Sequence, residues 1–215
     1  MPHFSSTLCM LAVVSTVFSL SELVQAAPIT GKVEITTPLG QFMALKMDIN
    51  DSTTTFELTG PDFSWFAFGF DTTIMNGYSF IVEGLDGTRT AHERNLVANG
   101  NPGVPQAIQN ISIVSTIHDA ANDLTTITLE RPNQTGDPSD PDFSTSMTSL
   151  DIIWAYRASA SPAAPVANLN FHGTSGRGAT LITFAPVPEP STALLLASLA
   201  AIGLHSRHKR FPANR

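Results

Sequence analysis

The sequence predicts an all-β domain, a sandwich or barrel of short antiparallel strands. Three observations predict it. No long segment between Ala27 and Pro186 carries apolar residues at the 3.6-residue helical period. Runs of β-branched and aromatic residues recur through that stretch. Turn residues separate the runs, as in Thr59-Gly60-Pro61-Asp62, Asp86-Gly87 and Asn99-Gly100-Asn101-Pro102-Gly103.

Taken in order, Lys32 to Thr36 alternates polar and apolar residues and reads as a strand with one wet face. Phe42 to Ile49 shifts its apolar parity, which suggests a bulge or a strand buried on both faces. Thr53 to Leu58 is β-branched, and Phe63 to Phe70 is dense in aromatics. Tyr78 to Val82, Ile108 to Ile117, Leu124 to Leu129, Leu150 to Tyr156, Val166 to Phe171 and Ala179 to Phe184 complete the set. Arg131 to Asp142, rich in Pro and Asp, reads as a surface loop, and Ser159 to Pro165 as a second connection.

The two ends read differently from this domain. Thr7 to Leu20 is apolar and uncharged, and Val24-Gln25-Ala26 places small residues where a signal peptidase cuts, after Ala26 or one residue later. The expected division is therefore a signal peptide at 1–26, a domain at 27–186 and a terminal segment at 187–215. The only cysteine, Cys9, lies in the signal, so the mature domain has no disulfide and no thiolate ligand.

In the terminal segment, Val187-Pro188-Glu189-Pro190 is followed by an apolar run from Ser191 to Leu204. A basic cluster of His205, Arg207, His208, Lys209 and Arg210 comes next. The run is marginal for a span of about 30 Å unless flanking residues join it, and the basic cluster would stay cytoplasmic. Motif, apolar helix and basic tail in this order resemble the PEP-CTERM sorting signal of Gram-negative bacteria. The resemblance implies recognition by an exosortase, transient membrane anchoring, cleavage near Pro188-Glu189-Pro190, and delivery to the cell surface, outer membrane or extracellular matrix. The alternative is an ordinary tail anchor.

Residues 27–186 hold 7 of the 11 Lys and Arg but 16 of the 18 Asp and Glu, a formal charge of −9. An acidic domain repels phosphate backbones, so nucleic acid is not an expected partner. No nucleophile elbow and no phosphate loop is present, and enzyme chemistry of the domain's own is not expected.

Within the domain, Phe56 to Val82 carries an aromatic strand with Trp65, Ala67, Gly69 and Phe70. A loop with Met75 and Gly77 follows, then Phe80-Ile81-Val82. Further on come Arg131-Pro132 with Gly136, Asp137 and Asp140, then Ile152-Ile153-Trp154-Ala155, and finally Phe171-His172 before Gly178-Ala179-Thr180-Leu181. This succession resembles the DOMON family, an immunoglobulin-like β-sandwich whose members bind haem or sugars. The haem-binding members, among them the cytochrome domain of cellobiose dehydrogenase, hold b-type haem between a Met and a His. Met75 and His172 match those two positions.

The resemblance thus implies haem b with Met75 and His172 as axial ligands, and electron transfer as the function. Trp65 and Phe68, with Phe63 or Phe66, are expected to line part of the slot. Thioether and imidazole together close both faces of the iron and leave no place for oxygen. The alternative on the same fold is a non-catalytic protein that binds carbohydrate or matrix. The partner would accordingly be an unknown redox protein or an extracellular polysaccharide. Trp65 and Trp154, the candidates for stacking on sugar, read better as core.

Other candidates are weaker. His92 and His118 read as solvated strand ends, and a metal site of His118, Asp119 and Asp123 has poor spacing support. Asp137, Asp140 and Asp142 alternate as calcium ligands do, although Pro138 and Pro141 fit a stiff solvated loop as well.

Overall fold

The computed structural model describes residues 26–84, 89–97, 103, 105–157, 169 and 172–188. The signal segment, the apolar run at 191–204, the connection at 159–165 and the strand expected at 166–171, Leu169 apart, lie outside the described residues. No helix occurs among the described residues, so none there is long and apolar enough to cross a membrane.

Ten antiparallel strands follow the chain: β1 (Ile29–Thr36), β2 (Phe42–Ile49), β3 (Thr53–Pro61), β4 (Phe66–Phe70), β5 (Gly77–Glu83), β6 (Thr90–Leu96), β7 (Ser112–Asp119), β8 (Leu124–Pro132), β9 (Ser149–Tyr156) and β10 (Arg177–Pro186). Their hydrogen-bonded order is β6-β5-β4-β9-β10-β1-β2-β3-β8-β7. β10 joins two sheets: Arg177 to Thr183 pair with β9, and Phe184 to Pro186 pair with β1. Sheet A therefore runs from the end of β10 through β1, β2, β3 and β8 to β7. Sheet B runs from β6 through β5, β4 and β9 to β10.

The core lies between the two sheets. Met43, Leu45, Met47, Ile49, Phe56, Leu58, Ile127 and Leu129 come from sheet A. Phe66, Phe68, Phe70, Tyr78, Phe80, Ile152 and Trp154 meet them from sheet B. Phe56 makes edge-on contacts with Phe80 at 4.8 Å, Phe143 at 5.4 Å and Phe70 at 5.6 Å. Each such pair adds about 1 kcal/mol beyond its buried area. The parity shift in β2 has no bulge behind it: its register is continuous on both sides, and Ala44 is simply buried on the outer face. The irregularity sits in β7 instead, between Ile113 and Ser115.

β6 was not expected from the sequence, because Ala91-His92-Glu93-Arg94 looks like a solvated stretch. Glu93 and Arg94 are both fully buried there. Glu93 accepts hydrogen bonds from the Tyr78 hydroxyl and the Asn110 amide, and lies 3.7 Å from the Arg131 guanidinium. Arg131 sits between the rings of Tyr78 and Phe143, 4.9 Å from each centroid, and donates to the Pro141 carbonyl at 2.9 Å.

Arg131 also pairs with Asp140 at 3.5 Å, and Asp140 accepts from Thr135, Gln106 and Asn110. The loop after β8 is thus clamped onto β5 and β6 by buried charge, a correction to the solvated loop expected there. Asp140 is spent on these donors, and no cluster of three metal-binding side chains occurs among the described residues. The same finding disposes of the His118, Asp119 and Asp123 site. His118 pairs through Nδ1 with the buried Asp62, which also accepts from Thr125 and lies 3.5 Å from Arg89.

Candidate functional site

Sheet B is buried on its outer face as well. Trp65, Ala67, Ile81, Leu96, Ile153 and Ala155 form a second apolar cluster there, with Met75 and Leu169 packed against it. The registers lay out this face as two rows. One runs His92, Ile81, Ala67, Ala155, Arg177. The next runs Arg94, Ser79, Gly69, Ile153, Ala179. The middle of the face is small or aliphatic, and a cationic side chain ends it on both sides. At the β6 end, Glu83 lies 3.4 Å from His92 and 3.8 Å from Arg94. Burial pulls both His92 and Arg94 below their ordinary pKa.

Met75 reaches this face from the loop between β4 and β5, where Asp71 and Gly77 take positive φ and reverse the chain. An open depression of about 370 Å³ lies beside it, bounded by Met75, Ile153, Trp154, Thr174, Arg177 and Gly178 among others. His172 arrives from the other side, on the turn before β10. It is buried, and its ring meets the indole of Trp65 edge-on at 6.3 Å. His172 Nδ1 lies 2.6 Å from the Gly173 carbonyl. Because a carbonyl only accepts, Nδ1 carries the proton and Nε2 keeps its lone pair. Burial lowers the His172 pKa; the Gly173 carbonyl opposes this and nearby Arg177 adds to it, so the net shift favours the neutral ring.

Of the four residues singled out from the sequence, Met75, His172 and Trp65 share one patch of sheet B. Phe68 does not. It points into the inter-sheet core with Phe66 and Phe70, since β4 alternates Trp65, Ala67 and Gly69 outward and the phenylalanines inward. Phe66 is placed with it. The residues that flank Trp65 on the outer face are Ala67, Ile153 and Ala155. Arg177, Ile81 and Ala155 escape sequence reasoning, because only strand pairing brings them beside Met75.

The fold is shared with a solved cytochrome domain. The chain is similar to the cytochrome b domain of pyranose dehydrogenase from Coprinopsis cinerea, with a TM-score of 0.51 and 13% identity, over 69% of this chain and 79% of that one. The cytochrome domain of cellobiose dehydrogenase from Myriococcum thermophilum matches with a TM-score of 0.49 and 15% identity, over 77% of this chain and 95% of that one. Residues 186–210 match the PEP-CTERM protein-sorting motif. That motif marks a bacterial protein for export and surface sorting and for recognition by an exosortase. No curated protein sequence matches the chain.

Proposed function

We propose that this chain is an exported surface protein whose domain, residues 27–186, binds haem b and transfers single electrons. In this reading Met75 and His172 would hold the haem iron, and Trp65 would border the slot. The observation that carries it is that Met75 packs against the same buried apolar cluster whose Trp65 ring contacts the Nε2-basic imidazole of His172.

That face fits the group on three counts. A planar macrocycle needs an apolar floor, and Ala67 and Ala155 project little while Ile153 covers Gly69. It needs a soft donor and an imidazole donor, which Met75 and His172 supply. Its carboxylates need a cation or water, and Arg177 stands at the rim of the depression. Bound there, haem supplies a one-electron couple, which a thioether ligand shifts toward the reduced state. The chain's own part is to hold both donors, keep His172 neutral, and exclude water from the floor through Ile81, Ile153 and Trp65. The acidic domain charge suits a cationic redox partner.

The remainder of the chain serves delivery. Residues 1–26 act as the export signal and 187–215 as the sorting segment, through a membrane-anchored intermediate to the cell surface, outer membrane or matrix.

Haem titration of the full chain and of Met75→Ala and His172→Ala variants tests the function. The account expects the wild type to take up one haem in a low-spin state. Met75→Ala should turn the spectrum high-spin, and His172→Ala should weaken uptake by at least about tenfold. A wild type that takes up no haem would end this reading in favour of a carbohydrate- or matrix-binding protein.

A further inference from the structure

We infer that the turn from His172 to Gly176 fixes which ring nitrogen of His172 faces a ligand, with Gly173 as its positioning residue. The inference rests on the haem reading for the identity of that ligand, an iron centre bound through Nε2.

Gly173 has φ +73°, in the left-handed region, while a Cβ built on it would meet nothing within 4 Å. Space therefore does not demand glycine there; backbone conformation does. The conformation has one visible consequence. It turns the Gly173 carbonyl back onto the preceding side chain, 2.6 Å from His172 Nδ1. That oxygen can only accept, so the proton is held on Nδ1 and the lone pair on Nε2.

The other end of the turn is anchored. Gly176 accepts a hydrogen bond from the Tyr156 amide at 2.8 Å, which ties the turn to the end of β9. A Cβ on Gly176 would lie 2.4 Å from the His172 carbonyl oxygen and 2.5 Å from that of Tyr156. Both are backbone atoms that cannot step aside. The two glycines thus do different work: Gly176 lets the turn close against β9, and Gly173 aims a carbonyl at the imidazole. With Trp65 edge-on to the ring, His172 is oriented before any ligand arrives. Groups that orient a metal-bound histidine in this way are worth about 10- to 100-fold in affinity.

Two variants isolate the carbonyl. Gly173→Val has room for its side chain but resists positive φ, whereas Gly173→Asn tolerates it. The full chain, labelled with ¹⁵N-histidine and free of haem, gives the tautomer of His172 by long-range ¹H–¹⁵N correlation. The expected result is a single Nδ1–H tautomer in wild type and Gly173→Asn, and a mixture in Gly173→Val. Loaded with haem, Gly173→Val should lose it to apomyoglobin about 10- to 100-fold faster than wild type, and Gly173→Asn should stay near the wild-type rate.

An Nε2–H tautomer in the wild type would overturn the inference. So would a Gly173→Val variant with the wild-type tautomer and wild-type haem retention. A wild type that shows the Nδ1–H tautomer but never binds haem supports the turn and ends the haem reading, so the two failures are distinguishable.

Discussion

The two outer faces of this sandwich are made of the same kind of strand and do opposite things. On sheet A, Lys32 pairs with Glu34, and Lys46 bridges Asp48 and Glu57, all at least partly exposed. Thr59 and Thr126 exchange a hydrogen bond beside them. That face meets water. On sheet B the equivalent face carries Trp65, Ala67, Ile81, Ile153 and Ala155, all buried. A sheet needs only one buried face to fold, so the second apolar face of sheet B is where a bound group is sought. Met75 and His172 come to that second face.

The sharpest way to break the comparison is to put a charge on each face. Ile153→Asp should cost about 4 kcal/mol or more in urea unfolding, because the carboxylate has no partner on the apolar floor. Thr126→Lys, on the face of sheet A, should cost about 1 kcal/mol at most. Similar costs would mean that the two faces are equally solvated and that the site is misplaced.

Charge already present offers a second contrast. Arg131→Leu strands Glu93 and Asp140 in the interior and should cost about 3 kcal/mol. Lys46→Met removes two exposed pairs and should cost at most about 1 kcal/mol, vanishing in high salt. Unfolding curves of both variants at low and high salt read this directly.

A smaller effect separates the faces by pH. His92, on the buried face, has its pKa lowered by burial first and Arg94 second. Its unfolded form therefore takes up a proton at higher pH than its folded form. Its contribution to stability is complete above the unfolded value of about 6.5 and declines as pH falls toward the lowered folded value. His92→Gln should flatten that part of the stability profile. An unchanged slope would show that His92 titrates as an exposed residue does.

The comparison also explains what the sequence made legible. Lys32 to Thr36 alternates and Thr53 to Leu58 is β-branched, and β1 and β3 lie over those runs; burial in β3 alternates because one face of sheet A is wet. In sheet B alternation disappears: every residue of β4 is buried. Nothing in Trp65-Phe66-Ala67-Phe68 then says which face is which, and Phe68, expected beside Trp65, points into the inter-sheet core. β6 was missed for a related reason, since Glu93 and Arg94 read as solvent-facing until Tyr78 and Glu83 of the neighbouring β5 and Arg131 of β8 meet them. The switch of β10 between sheets depends on pairing with both β1 and β9, which no local pattern encodes. Met75 and His172 were singled out only through the order of motifs. Their surroundings, Ala155, Ile81 and Arg177, required the fold.

The central claim is that the buried outer face of sheet B holds a b-type haem. An absorption spectrum of the full chain, produced with ample haem and recorded oxidised and then dithionite-reduced, tests it most directly. The account predicts a Soret band that sharpens on reduction, with narrow α and β bands from an iron closed on both faces. A protein that stays colourless after haem supply, with the fold intact, would contradict it.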